Sequence, residues 1–112
     1  ALLYAKGLKK HMEQIGEVIG KNYARAQRVL SMAIIAAGNS GDQSYLPLLA
    51  NTLNHDHPPV RAHSAWAIGK LGGDAAKELL QEARKAEQNP RVLEDIDLAL
   101  KRVENKNIDK KE

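Results

Sequence analysis

The chain has 112 residues, a net charge of +3, 43% hydrophobic and 4% aromatic residues, and neither cysteine nor phenylalanine. This length buries enough surface for one stable domain, a core of Ala, Leu, Ile and Val favours close-packed helices over a sheet sandwich, and the absence of thiols excludes disulfides, iron–sulfur clusters and thiolate zinc sites within the chain. No apolar run nears the roughly 20 residues of a bilayer span and no signal-peptide pattern is present, which points to a cytoplasmic protein without a membrane partner.

Charge is uneven from the start. Residues 1–28 hold Lys6, Lys9, Lys10, Lys21, Arg25 and Arg28 against Glu13 and Glu17, a surplus of +4, while the remainder sums to −1. The chain opens at Ala1 without an initiator methionine and enters a helical pattern at once, so it reads as the C-terminal piece of a longer protein. Leu8, Met12, Ile15 and Ile19 predict a helix near 2–19. A second is predicted near 22–38, followed by Asn39-Ser40-Gly41-Asp42 as turn and cap. Leu46, Leu49 and Leu53 share the next helical face, Asn54-His55-Asp56-His57 breaks it, and Val60, Ser64, Ala67 and Leu71 form another stripe. Trp66 falls off that stripe and is expected to fill a gap between neighbouring helices. Gly72-Gly73-Asp74 is expected to end this helix and cap the following one, which carries Ala76, Leu79, Leu80 and Ala83. Val92, Ile96, Ala99 and Val103 close the series, and residues 105–112 read as a frayed tail.

These elements repeat. Val29, Val60 and Val92 lie 31 and 32 residues apart; Gly38 and Gly69, Gly41 and Gly72, and the pairs Leu48-Leu49 and Leu79-Leu80 keep the 31-residue offset. Pro58 and Pro90 precede the valine of their units, where a missing N–H is harmless in a first helical turn. A period of this length marks stacked helix pairs that cannot bury their apolar faces alone. The expected fold is all-α, with about three antiparallel pairs near 2–38, 43–72 and 74–104 in one domain. The alanines and glycines of residues 33–38 and 62–69 allow close helix approach.

The run Asp56-His57-Pro58-Pro59-Val60-Arg61-Ala62-His63-Ser64-Ala65-Trp66-Ala67-Ile68-Gly69-Lys70-Leu71-Gly72 resembles a HEAT repeat, which implies a right-handed α-α superhelix. By that resemblance Asp56 and Arg61 are candidates for an internal ion pair or capping contact. Read together with Arg25-Ala26-Gln27-Arg28 and Ala36-Ala37-Gly38-Asn39-Ser40-Gly41-Asp42, the stretch of about residues 20–104 resembles the C-terminal HEAT-like domain of bacterial epoxyqueuosine reductases. The resemblance implies a parent enzyme that reduces an epoxide in a tRNA wobble base with cobalamin and two 4Fe-4S clusters. Its cofactor ligands would lie upstream of Ala1, and no catalytic residue carries over to this chain. Val29 departs from the family pattern, where an Asn is expected after the arginine.

Lys21, Arg25 and Arg28 stand at i, i+4 and i+7, on one helix face, where they can meet phosphates or simply form a solvated outer surface. Arg61 and Lys70 begin and end the equivalent helix one repeat later, so stacking would align Arg61 near Arg28; Arg61 competes for this role as the partner of Asp56. His55, His57 and His63 have the wrong spacing for a closed zinc site and no fourth ligand, which leaves surface histidines, with His63 a weaker candidate for phosphate or base contact. Glu94, Asp95 and Asp97 spread over different faces of the last helix, and no nucleophile, base or phosphate loop is assembled. The expected role is non-catalytic: an accessory module contacting the tRNA anticodon stem-loop and the upstream catalytic domains, or alternatively a scaffold for a protein partner.

Overall fold

The structure, a computed structural model, describes residues 20–111, with side chains described from 24 to 106. The helix expected near 2–19, with Lys6, Lys9 and Lys10, lies outside them. Five α-helices and one 3-10 turn follow in order: α1 (Gly20–Asn39), the turn Gln43–Tyr45, α2 (Leu46–Thr52), α3 (Pro58–Leu71), α4 (Asp74–Ala86) and α5 (Pro90–Lys111). No strand occurs among the described residues. The chain divides into two compact units, Ala1–Leu30 and Ser31–Glu112. The described part of the first is the opening of α1, and everything below concerns the second unless stated.

Local chemistry sets the helix ends. Pro58 and Pro59 open α3, their fixed φ suiting a first turn that has no use for their missing N–H groups. At the other end Gly72 (φ +72°) and Gly73 (φ +96°) turn the chain through backbone angles that a side chain resists. Gly73 holds the cap position of α4 without a side-chain bond, and Asp74 is the first helical residue rather than the cap expected of it. Its carboxylate still suits the positive end of the helix, as Arg84 and Lys85 suit the last turn. Asp42 does cap: its Oδ1 accepts from the Ser44 N–H at 2.9 Å. At α5 the capping oxygen comes from Asn89, whose Oδ1 accepts from Arg91 N–H at 2.9 Å and Val92 N–H at 3.4 Å. The last helix then continues to Lys111, through residues set aside in the sequence as a tail.

The core follows the apolar stripes. Leu46, Leu49 and Leu53, then Val60, Ser64, Ala67 and Leu71, then Val92, Ile96, Ala99 and Val103 are all buried; on α4, Ala76 and Leu80 are buried while Leu79 and Ala83 are half-buried. Ala65, Ile68 and Gly69 are buried as well, so α3 is enclosed around most of its circumference, as befits a helix packed against α2, α4 and α5. Its one buried hydroxyl, on Ser64, meets Thr52 Oγ1 at 2.5 Å, and Thr52 donates in turn to the Leu49 carbonyl at 3.0 Å. Val60 and Val92 are buried as the period predicts, but Val29 is 59% exposed.

The 31-residue glycine pair has a physical reason. A Cβ placed on Gly38 would meet the Ala67 Cα at 2.8 Å, and one on Gly69 would meet the Ala99 Cα at 2.9 Å and its Cβ at 2.8 Å. Ala67 and Ala99 are themselves one repeat apart, so the same close contact joins α1 to α3 and α3 to α5. The end of α3 is also held by both neighbours. Gln43 Nε2 donates to the carbonyls of Leu71 and Gly72 at 2.9 and 3.2 Å, and Lys106 Nζ donates to the carbonyl of Lys70. These side chains satisfy carbonyls that have no partner within the helix.

Candidate functional site

The helical backbone of α1 keeps Lys21, Arg25 and Arg28 on one face, since i, i+4 and i+7 lie within about 60° of one another. Arg25 and Arg28 are exposed, while the side chain of Lys21 falls outside the described set. All three belong to the first unit. Arg61 and Lys70 belong to the second, and nine residues of helix put them on opposite faces of α3, about 180° apart. Arg61 and Lys70 therefore do not share one basic surface.

Arg61 is committed internally. Its Nε donates to Glu87 Oε2 at 2.8 Å and one terminal nitrogen to Glu87 Oε1 at 3.1 Å, a two-pronged ion pair. The other terminal nitrogen reaches the backbone carbonyls of His55 and Asp56 at 2.8 and 3.1 Å. The expected ion pair with Asp56 is therefore replaced: Asp56 contributes its carbonyl, and the carboxylate comes from the turn that precedes α5, one repeat later. The side chains of Arg61 and Glu87 are only 19% and 7% exposed, so Arg61 has little left to offer a phosphate. The bond from Arg61, against the opposing effect of burial, holds the Glu87 carboxyl below its ordinary value. This pairing, missed in the sequence, ties the turn at 53–57 to the turn at 87–89.

Lys70 is half-buried, with its Nζ 5.8 Å from the centroid of the Trp66 ring, within cation–π range. Trp66 lies off the buried stripe as expected, its ring edge against Gly38. Ala62, Trp66 and Lys70 follow one another at i, i+4 and i+8, and His63 adjoins them. Ala62 and His63 line two adjoining hollows and Trp66 the first of them, while Lys70 lies outside both linings. One, of 290 Å³, is lined by Ile35, Ala62, His63, Trp66 and Asp95. The other, of 480 Å³, shares Ala62, His63 and Asp95 and extends past Pro58 and Pro59 to Asn89 and Arg91. Asp95 enters none of the three ion pairs formed among the described residues. Its neighbour Asp97 is paired with Arg84 at 2.6 Å, so the acidic cluster of α5 divides by face as its spacing predicts.

The histidines separate too. His55 Nδ1 accepts from the His57 N–H at 3.0 Å, a bond within the turn, whereas His63 faces both hollows. Among the described residues no group of three or more His, Cys, Asp or Glu side chains is placed to hold a metal, and no helix is long and apolar enough to cross a membrane. On the side of α2 and α4, a third hollow of 420 Å³ is lined by Leu46, Pro47, Ala50, Ala75, Glu78, Leu79 and Glu82.

Comparison with known proteins agrees with the helical-repeat fold. The chain is 33% identical over 88 residues to epoxyqueuosine reductase of Bacillus subtilis, covering 78% of this chain and 22% of that protein. It is 31% identical over 85 residues to epoxyqueuosine reductase of Listeria monocytogenes, covering 75% and 22%. The crystal structure of a selenomethionine-labelled epoxyqueuosine reductase aligns with a TM-score of 0.61 and 32% identity, over 65% of this chain and 20% of that one. The chain thus spans about a fifth of the length of these relatives and corresponds to a helical module of such an enzyme. Residues 22–101 match the family model of HEAT repeats, and the chain belongs to that family.

Proposed function

We propose that this chain is the non-catalytic HEAT-repeat module of an epoxyqueuosine reductase and that it helps that enzyme hold the anticodon stem-loop of its tRNA. The observation that carries the reading is the 32% identity, at a TM-score of 0.61, to a solved reductase. A helical module that presents grooves and cations serves to position a large substrate for chemistry done elsewhere. Arg25 and Arg28, exposed on one face of α1, are the phosphate contacts, with Lys21 on the same face. Lys70 contributes from α3, and Arg61 is left to its ion pair.

Cobalamin and two 4Fe-4S clusters belong to the parent enzyme under this reading. The residues here do not fit the clusters: the chain has no cysteine to supply thiolates, and no redox step is assigned to it. The hollow beside α2 and α4, with an apolar floor and Glu78 and Glu82 on its rim, favours a protein contact on that side, such as the catalytic part of the parent chain.

The test is tRNA binding by this chain at two salt concentrations, with the Arg25→Glu/Arg28→Glu double variant beside the wild type. The wild type is expected to bind more weakly at the higher salt as counterions compete for the phosphates. The variant is expected to lose at least tenfold in affinity at the lower salt. Wild-type affinity in the double variant, or no wild-type binding at all, overturns the proposal.

A further inference from the structure

We propose that the hollow between Trp66 and Asp95 receives one unstacked nucleobase of a single-stranded RNA loop, and that it prefers guanine. This deepens the RNA reading above and rests on it. The first argument is size. At 290 Å³ the hollow falls just below the roughly 300–1,000 Å³ typical of small-molecule clefts, which is small for a folded cofactor and suited to one flat ring system.

The second argument is the chemistry of the walls. Trp66 and His63 offer aromatic surface on which a base can stack, and Ala62 and Ile35 give an apolar floor. RNA recognition depends on such surfaces because the bases of loops can be splayed out and stacked on aromatic side chains. Asp95 adds a carboxylate without an ion-pair partner among the described residues. An ionised carboxylate only accepts hydrogen bonds, and it has two oxygens to accept with. Guanine presents two adjacent donors on its pairing edge, N1–H and the N2 amino group, which match those oxygens; adenine and cytosine present one amino group and an acceptor.

The third argument is charge. Arg91 lines the far end of the adjoining hollow and Lys70 stands over the Trp66 ring just outside both linings, so this face carries two cations against the one carboxylate of the hollows. That surplus favours a ligand whose backbone is anionic and whose reading edge donates. Because the two hollows share Ala62, His63 and Asp95, a base seated against Trp66 would have its phosphates running toward Arg91. The rival occupant is an arginine side chain from a protein partner, which the Arg91 guanidinium of the adjoining hollow opposes.

Trp66 is the sole tryptophan, so its emission reports occupancy directly. The experiment titrates the 112-residue chain with end-labelled RNA hairpins whose loops hold a single guanosine, inosine or adenosine among uridines. Label anisotropy reads total binding and Trp66 emission reads stacking. Expected results are quenching on binding and a preference of about tenfold for guanosine over adenosine, with inosine, which lacks the N2 amino group, between them. Asp95→Asn is expected to abolish that preference, Trp66→Leu to weaken binding about tenfold, and Trp66→Phe, which keeps a ring, to bind nearly as well as wild type. Far-UV circular dichroism confirms that each variant is folded. Hairpin binding with unchanged Trp66 emission and an unaltered Trp66→Leu affinity overturns this inference and leaves the RNA reading in place. Absence of hairpin and tRNA binding removes both, and quenching by an arginine-bearing peptide but not by RNA overturns the inference in favour of a protein ligand.

Discussion

Arg61 joins two inter-helix turns through one guanidinium, and its partners differ greatly in what they contribute. Removing it would strand a carboxylate that is 7% exposed and withdraw donors from two carbonyls, so Arg61→Ala is expected to lower unfolding stability by about 2–3 kcal/mol. Asp56→Asn, which alters a carboxylate that Arg61 does not use, is expected to stay within about 0.5 kcal/mol of wild type; urea unfolding of the two variants separates the effects. Because the folded state holds Glu87 below its ordinary 4.5, the pair's stabilisation is complete above that value and fades as pH falls through the depressed folded one. A Glu87→Gln variant should accordingly show a shallower loss of stability on acidification below about pH 4.5, measured as denaturation midpoint against pH. The sequence made Arg61 visible as an internal residue but assigned it the nearest acid, five positions away. The true partner lies 26 positions away, and local spacing carries no information about a turn that stacking brings alongside.

The helices were legible because their signals are local. Apolar stripes at helical spacing, prolines at first turns and glycines at positive φ placed the five described α-helices in order, the first within two residues of its observed bounds, and Asp42 as a cap. Asp74 and Asn89 show where that reasoning ends: either an aspartate after Gly-Gly or an asparagine before Pro can cap, and which one does depends on where the first helical residue falls. The glycine repeat carried more than the turn chemistry did. At Gly69 the added Cβ would press on the Cα, Cβ and carbonyl oxygen of Ala99, atoms that cannot rotate away, so Gly69→Ala is expected to cost about 1–3 kcal/mol although alanine is the better helix former. A thermal melt showing equal or greater stability would refute the close approach of α3 and α5.

Within residues 31–111 the packing radiates from α3, which touches the helices before and after it and buries half of its residues. Native-state hydrogen exchange should find the slowest amides between Val60 and Leu71, slower than those of α2 or α4; an inverse order would mean that the pairs open independently of that helix. The candidate site was only partly legible at this scale. Its cations could be counted in the sequence, but the meeting of Trp66 and His63 with Asp95 needs α3 and α5 side by side, 29 residues apart in the chain. Gly38 against Ala67 and Gly69 against Ala99 have one more effect. Where helices are spaced by main-chain atoms and methyl groups, the frame does not depend on the larger side chains displayed beside it. Positions such as 62, 63 and 91 can then be rewritten for a different loop sequence while the architecture beneath them stays the same, which makes this face a surface on which recognition can be changed without rebuilding the fold.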